Sequence, residues 1–205
     1  MRTRKLAVAT VWMAASGACY GAQELRISVM IFNQAEVPGP TLREAEERAG
    51  SILGKAGVEV NWTDCHRPAN TSVCAMPAEP NHLFLTIVME DNRQFFGDDV
   101  LGRSVPGDRS CHGIYARVFY RHIQAKAGQE SVNPAQLLGL AVAHEFGHLF
   151  LGPQAHSVDG IMRANWSRRD MELGTKGQLR FTDQQAALVR ADVQSRMAER
   201  ERLQN

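Results

Sequence analysis

The stretch NPAQLLGLAVAHEFGHLFLG occupies residues 133–152. Asn133 before Pro134 is a strong helix start. The Asn side chain accepts from a first-turn N–H, and proline's missing N–H costs nothing at the first helical position. The apolar residues that follow carry the helix through Leu151, and Gly152 ends it. Within it His144, Glu145 and His148 form H-E-x-x-H. Positions i and i+4 lie one turn apart on the same face, so both imidazoles can reach one metal ion. With 7 His in 205 residues, a shuffled chain would contain this pattern roughly once or twice in a hundred trials. Its placement on a capped helix makes chance a poorer explanation still.

Two imidazoles, no thiolate and an open coordination position suit zinc, and Glu145 stands where it can hold a water that the metal polarises. A catalytic zinc of this kind needs a third protein ligand. Gly152 can adopt the left-handed conformation and turn the chain back, and His156 comes four residues later. Asp159 is the rival, since a carboxylate also ligates zinc. Glu172 would serve a glutamate-type plan, but the helical motif expected around such a residue is missing.

At these residues the sequence resembles the metzincin zinc peptidases, and among them the matrixin-like branch. Their pattern is H-E-x-x-H-x-x-G-x-x-H, then a short loop and a tight turn with Met beneath the metal. Here His156 is followed by Ser157, and Asp159-Gly160-Ile161-Met162 comes soon after. The offsets from His148 to Gly152 and from Gly152 to His156 are four and four, so two extra residues must be absorbed. The resemblance implies that His144, His148 and His156 bind zinc, that Glu145 is the general base, and that Met162 is the turn methionine. On residues alone, Met162 also reads as core filler. The family's peptide substrate lies antiparallel to an edge strand, for which residues 113–120 are the candidate. No Tyr occurs in residues 162–170 to act as a second electrophile. Trp166 reads either as a pocket wall or as a core residue.

Outward from the motif, residues 25–32 alternate as a strand, with Ile27, Val29 and Ile31 on one face. Pro38-Gly39-Pro40 ends it. A helix is expected from Thr41, with Glu44 completing a capping box, Leu42, Ala45, Ala49, Ile52, Leu53 and Ala56 on one face, and Gly57 as its stop. Residues 58–62, 82–89 and 113–120 are expected as further strands, and residues 92–109 as loop. Thr182 with Gln185 caps a last helix carrying Ala186, Val189, Val193 and Met197, whose tail, residues 198–205, is expected to fray. The clusters Glu44-Glu46-Glu47, residues 196–202 and Arg168-Arg169-Asp170 read as solvated surface. His66, His82, His112 and His122 have no partner at ligand spacing. The pattern predicts an α+β, zincin-like single domain: one twisted mixed sheet with an active-site helix and a C-terminal helix packed on it.

Residues 1–22 read as a signal peptide, leaving residues 23–205 as the zinc peptidase-like domain. Arg2, Arg4 and Lys5 precede ten uncharged apolar positions, and small residues follow. Cleavage after Ala18 would leave Cys19 first, where a lipid anchor is an alternative. Export implies a secreted or periplasmic, oxidising setting. Cys65 and Cys74 are then the expected disulfide, with other pairings open, and Cys111 the odd thiol, read as a small buried hydrophobe. The net charge is +1. It gives no electrostatic case for nucleic acid, and no apolar run is long enough to span a bilayer. The function expected is a zinc-dependent metalloendopeptidase acting on protein or peptide. The alternatives are a silent zinc-binding scaffold and a zinc hydrolase of non-peptide amides. Glu145 favours an enzyme, because a structural zinc site needs no such carboxylate and usually completes four protein ligands.

Overall fold

The computed structural model describes residues 24–90, 100–107 and 111–205. Its strands are β1 (Arg26–Asn33), β2 (Glu59–Asp64), β3 (His82–Val88), β4 (Gly102–Val105) and β5 (Tyr115–Phe119). Its helices are α1 (Gly39–Lys55), α2 (Thr71–Cys74), α3 (Tyr120–Glu130), α4 (Pro134–Leu151), α5 (Arg168–Thr175) and α6 (Asp183–Gln204). The strands form one sheet in the order β2-β1-β3-β5-β4. Four are parallel, and β4 runs antiparallel to β5 at the edge. Parallel neighbours cannot be joined by a tight turn, and α1 supplies the crossover from β1 to β2. The α+β architecture with a mixed sheet is the one the sequence pattern predicts.

Alternation places Ile27, Val29 and Ile31 of β1 and Leu83, Leu85 and Ile87 of β3 in the core. They meet Leu42, Ala45, Ala49, Ile52 and Leu53 on the buried face of α1. Each large side chain so buried stabilises the fold by about 1.5–3 kcal/mol before entropy is counted. α4 packs against α1, α3, α5, α6, β4 and β5. A helix enclosed from so many directions must be apolar nearly all round, which is why its sequence lacks a polar face. Asn133 caps it by accepting from the Ala135 N–H at 2.8 Å, and Gly152 terminates it.

Several expectations are corrected. α1 starts at Gly39 with no side-chain cap, so the Thr41–Glu44 capping box does not form. Glu44 instead accepts from Asn133 and Gln136, tying α1 to the start of α4. The expected loop of residues 92–109 contains β4, and a helix, α3, follows β5 directly. Asp170 is buried, not solvated. It forms a capping box with Ser167 at the start of α5. Arg196 is 0% exposed. Its guanidinium pairs with Asp192 and donates to the carbonyls of Pro80 and Leu149. α6 stays helical through Gln204, so the expected fraying is not seen. Cys111 is exposed. The sulfurs of Cys65 and Cys74 lie 2.01 Å apart, at disulfide distance. Among the described residues, no helix is long and apolar enough to cross a membrane. The expected signal peptide and Cys19 lie outside the described residues.

Candidate metal centre

The helical rise sets His144 and His148 side by side on α4, with ring centroids 4.9 Å apart. His156 joins them: the nearest ligand atoms of the three rings all lie within 4.8 Å of one another. His148 Nε2 and His156 Nε2 are 3.1 Å apart. Two nitrogens bound at about 2.0–2.1 Å to a tetrahedral zinc would stand roughly 3.3–3.4 Å apart, so the spacing fits a shared ion. The other ring nitrogens point the same way. His144 Nδ1 donates to the Ile161 carbonyl at 2.9 Å, and His148 Nδ1 to the Gly152 carbonyl at 3.2 Å. A carbonyl can only accept, so each Nδ1 carries the proton and each Nε2 keeps its lone pair, the arrangement that orients histidine ligands. Burial lowers the His144 imidazole to about 4 and lowers His148 as well, keeping both neutral.

The two extra residues between His148 and His156 are absorbed by one bend. α4 runs on to Leu151, and Gly152 then adopts φ +89 and ψ 178. That region is essentially restricted to glycine. Gln185, from the capping box of α6, donates to the Ala155 carbonyl and steadies the residue before His156. Beyond His156, the Ser157 N–H donates to the Met162 carbonyl at 2.9 Å, and the Ile161 N–H to Arg180 at 2.9 Å. Met162 is 0% exposed. Its Sδ lies so close under Gly147 that a Cβ there would approach it to 2.2 Å. The turn thus packs beneath the histidine helix, with Met162 in the hydrophobic core. Asp159 and Glu172 do not join the cluster; Glu172 pairs with Arg168 on the surface.

Glu145 is buried, and burial pushes its carboxyl up to about 7. The Ser104 hydroxyl hydrogen-bonds to it, and the Arg103 charge favours its ionised form. β4 supplies both residues. A Cβ on Gly102 would meet Glu145 Cγ at 2.8 Å, so the edge strand lies against the carboxylate through a side-chain-free position. Histidines and carboxylate open into a cavity of about 560 Å³. Trp166 walls it, edge-on to His144 with ring centroids 5.5 Å apart, and its Nε1 donates to the same Ile161 carbonyl that holds His144. This chain can therefore offer three imidazole nitrogen ligands, a buried carboxylate beside them, and room for a substrate.

The edge strand beside the histidine helix is β4, not residues 113–120. Those residues contain β5, whose two edges are taken by β3 and β4. Gly102, Ser104, Lys126 and Arg163 also belong to the site and carry no motif. His112 lies between Asp192 and Glu199, His82 beside Glu79, and His122 on the Val100 carbonyl. These three are structural contacts away from the cluster. His66 is exposed and outside it.

No family model matches the sequence, and no curated protein matches it. Among solved structures, the chain is similar to a zinc-dependent peptidase from Methanocorpusculum labreanum (strain Z). The TM-score is 0.52 at 15% identity, over 78% of this chain and 99% of that one. At that identity the likeness is one of fold: a zinc peptidase-like domain built on a five-stranded mixed sheet.

Proposed function

We propose that this chain is an exported zinc-dependent metalloendopeptidase of the metzincin type, with a matrixin-like methionine turn. The observation that carries the reading is the convergence of His144, His148 and His156 beside the buried Glu145 at the mouth of one cavity. The likeness in fold to a structure described as a zinc-dependent peptidase agrees with it. Residues 1–22 would direct export, and the close sulfurs of Cys65 and Cys74 suit an oxidising compartment.

His144, His148 and His156 hold the ion in this reading. Zinc, when bound, supplies a Lewis acid that polarises a water and the scissile carbonyl. Glu145 accepts the proton of the attacking water and returns it to the leaving amine. Ser104 orients that carboxylate. Met162 supports the floor of the histidine helix. The exposed edge of β4 offers hydrogen-bonding groups along which an extended peptide can lie.

The test is cleavage of a mixed peptide library, read by mass spectrometry, with and without a chelator. The expected outcome is internal cleavage by the zinc-loaded protein, lost with chelator and lost in Glu145→Ala with zinc still bound. One zinc per chain without cleavage of any peptide would contradict the peptidase reading.

A further inference from the structure

We propose that the cavity beside the candidate zinc site selects a substrate carboxylate, with Lys126 and Arg163 as the residues that recognise it. This rests on the zinc peptidase reading and adds its substrate class. The lining reaches from the three histidines to Ala141, three residues before His144 on α4. It goes on to Lys126 of α3, to Arg163 just after Met162, and to Met171 of α5. Among the described residues of that lining, Arg103, Lys126 and Arg163 are cationic and Glu145 alone is acidic. Glu145 is engaged in the proposed proton transfer, so it is not available to neutralise them.

Lys126 and Arg163 have partners placed outside the lining. Lys126 Nζ meets Glu130 at 3.0 Å, one turn along α3. Arg163 Nη1 lies 3.3 Å from Asp170. Asp170 also accepts from the backbone N–H and the hydroxyl of Ser167, so its charge is shared with the cap of α5. An ammonium has three donors and a guanidinium five, so each cation keeps donors beyond those its partner uses. The lining therefore presents positive groups while the compensating carboxylates stand behind it. A bound divalent ion adds to the same sign. A carboxylate entering past His144 gains charge-assisted hydrogen bonds, which are about twice as strong as neutral ones. A Lys or Arg side chain in the same place meets like charge. The ligand class is a peptide with Asp or Glu immediately after the scissile bond, or one whose C-terminal carboxylate reaches that position.

The test separates this inference from the reading beneath it by measuring binding, not turnover. Peptide hydroxamates that chelate zinc are prepared with Glu, Gln or Lys in the residue after the chelating group, each with a free or amidated C-terminus. Their affinities for the zinc-loaded protein are measured by calorimetry. The Glu compound, or the free-acid form of the Gln compound, is expected to bind at least tenfold tighter than the amidated Gln compound, and the arm that gains names the source of the carboxylate. Lys126→Met is expected to remove most of that gain. Glu130→Gln, which deletes a counter-charge and keeps the lysine, is expected to increase it. Equal binding by all six compounds overturns the inference and leaves the zinc site standing. Binding by none overturns the zinc reading and the inference together.

Discussion

Glu145 is a buried carboxyl beside a buried neutral imidazole, and the two titrate in opposite senses. In the metal-free protein the Glu145 carboxyl stands at about 7 against a usual 4.5. The folded state therefore holds a proton that the unfolded chain has released. That contribution is fully present below pH 4.5 and is lost as pH rises through 7. At about 1.4 kcal/mol per unit the cost above pH 7 is on the order of 3 kcal/mol. The His144 imidazole, lowered to about 4 from 6.5, has the opposite sign: stability falls as pH drops from 6.5 toward 4. Metal-free Glu145→Gln should match the parent near pH 4.5 and exceed it by up to roughly 3 kcal/mol at pH 8. Urea unfolding at the two pH values measures this, and equal differences at both would contradict it. Gly147 gives a second prediction at this scale. Alanine in mid-helix ordinarily gains about 1 kcal/mol over glycine. Here the new Cβ meets Met162 Sδ at 2.2 Å with Phe181 behind it at 3.0 Å. Overpacking of about 1–3 kcal/mol should win, so Gly147→Ala should lower the melting temperature and weaken zinc binding.

At the scale of elements, α4 is legible because cap, proline, apolar run and stop all agree, and H-E-x-x-H needs nothing more than helical periodicity. The bend that delivers His156 is legible only in part: Gly152 marks a turn, but the course of the chain after it is anchored by Gln185 on the Ala155 carbonyl and by the Arg180 carbonyl on the Ile161 N–H. Gly152→Ala should cost about 1–3 kcal/mol of strain and lower zinc affinity, because His156 would no longer meet its partners. Equilibrium dialysis with zinc checks the affinity. β4 is not legible. It is four residues long, contains a glycine, and sits within a segment rich in Gly, Pro and Asp, so its strand identity comes from pairing with β5. α3 is hidden because β5 runs into it at Phe119 without a turn residue. Tyr120, Ile123 and Ala127 at helical spacing were the available signal. A charged pattern also cannot reveal that Arg196 points inward, since its pairing with two backbone carbonyls depends on α6 lying beside the end of α4.

For the whole molecule, the sheet and α4 form the frame: His144 and His148 stand on α4, and His156 reaches them through one loop. The bridge between Cys65 and Cys74 closes a short loop after β2. Replacing both with Ser should lower stability by roughly 2–3 kcal/mol and leave zinc stoichiometry unchanged, as unfolding curves and metal analysis on the same samples can show. The proposed activity depends most on three imidazoles sharing one ion. X-ray absorption at the zinc edge tests that directly. The zinc-loaded protein should show three imidazole nitrogens at about 2.0–2.1 Å and one further oxygen ligand from water, with His156→Ala reducing the imidazole count to two. A parent spectrum with two imidazoles, unchanged by His156→Ala, would contradict it.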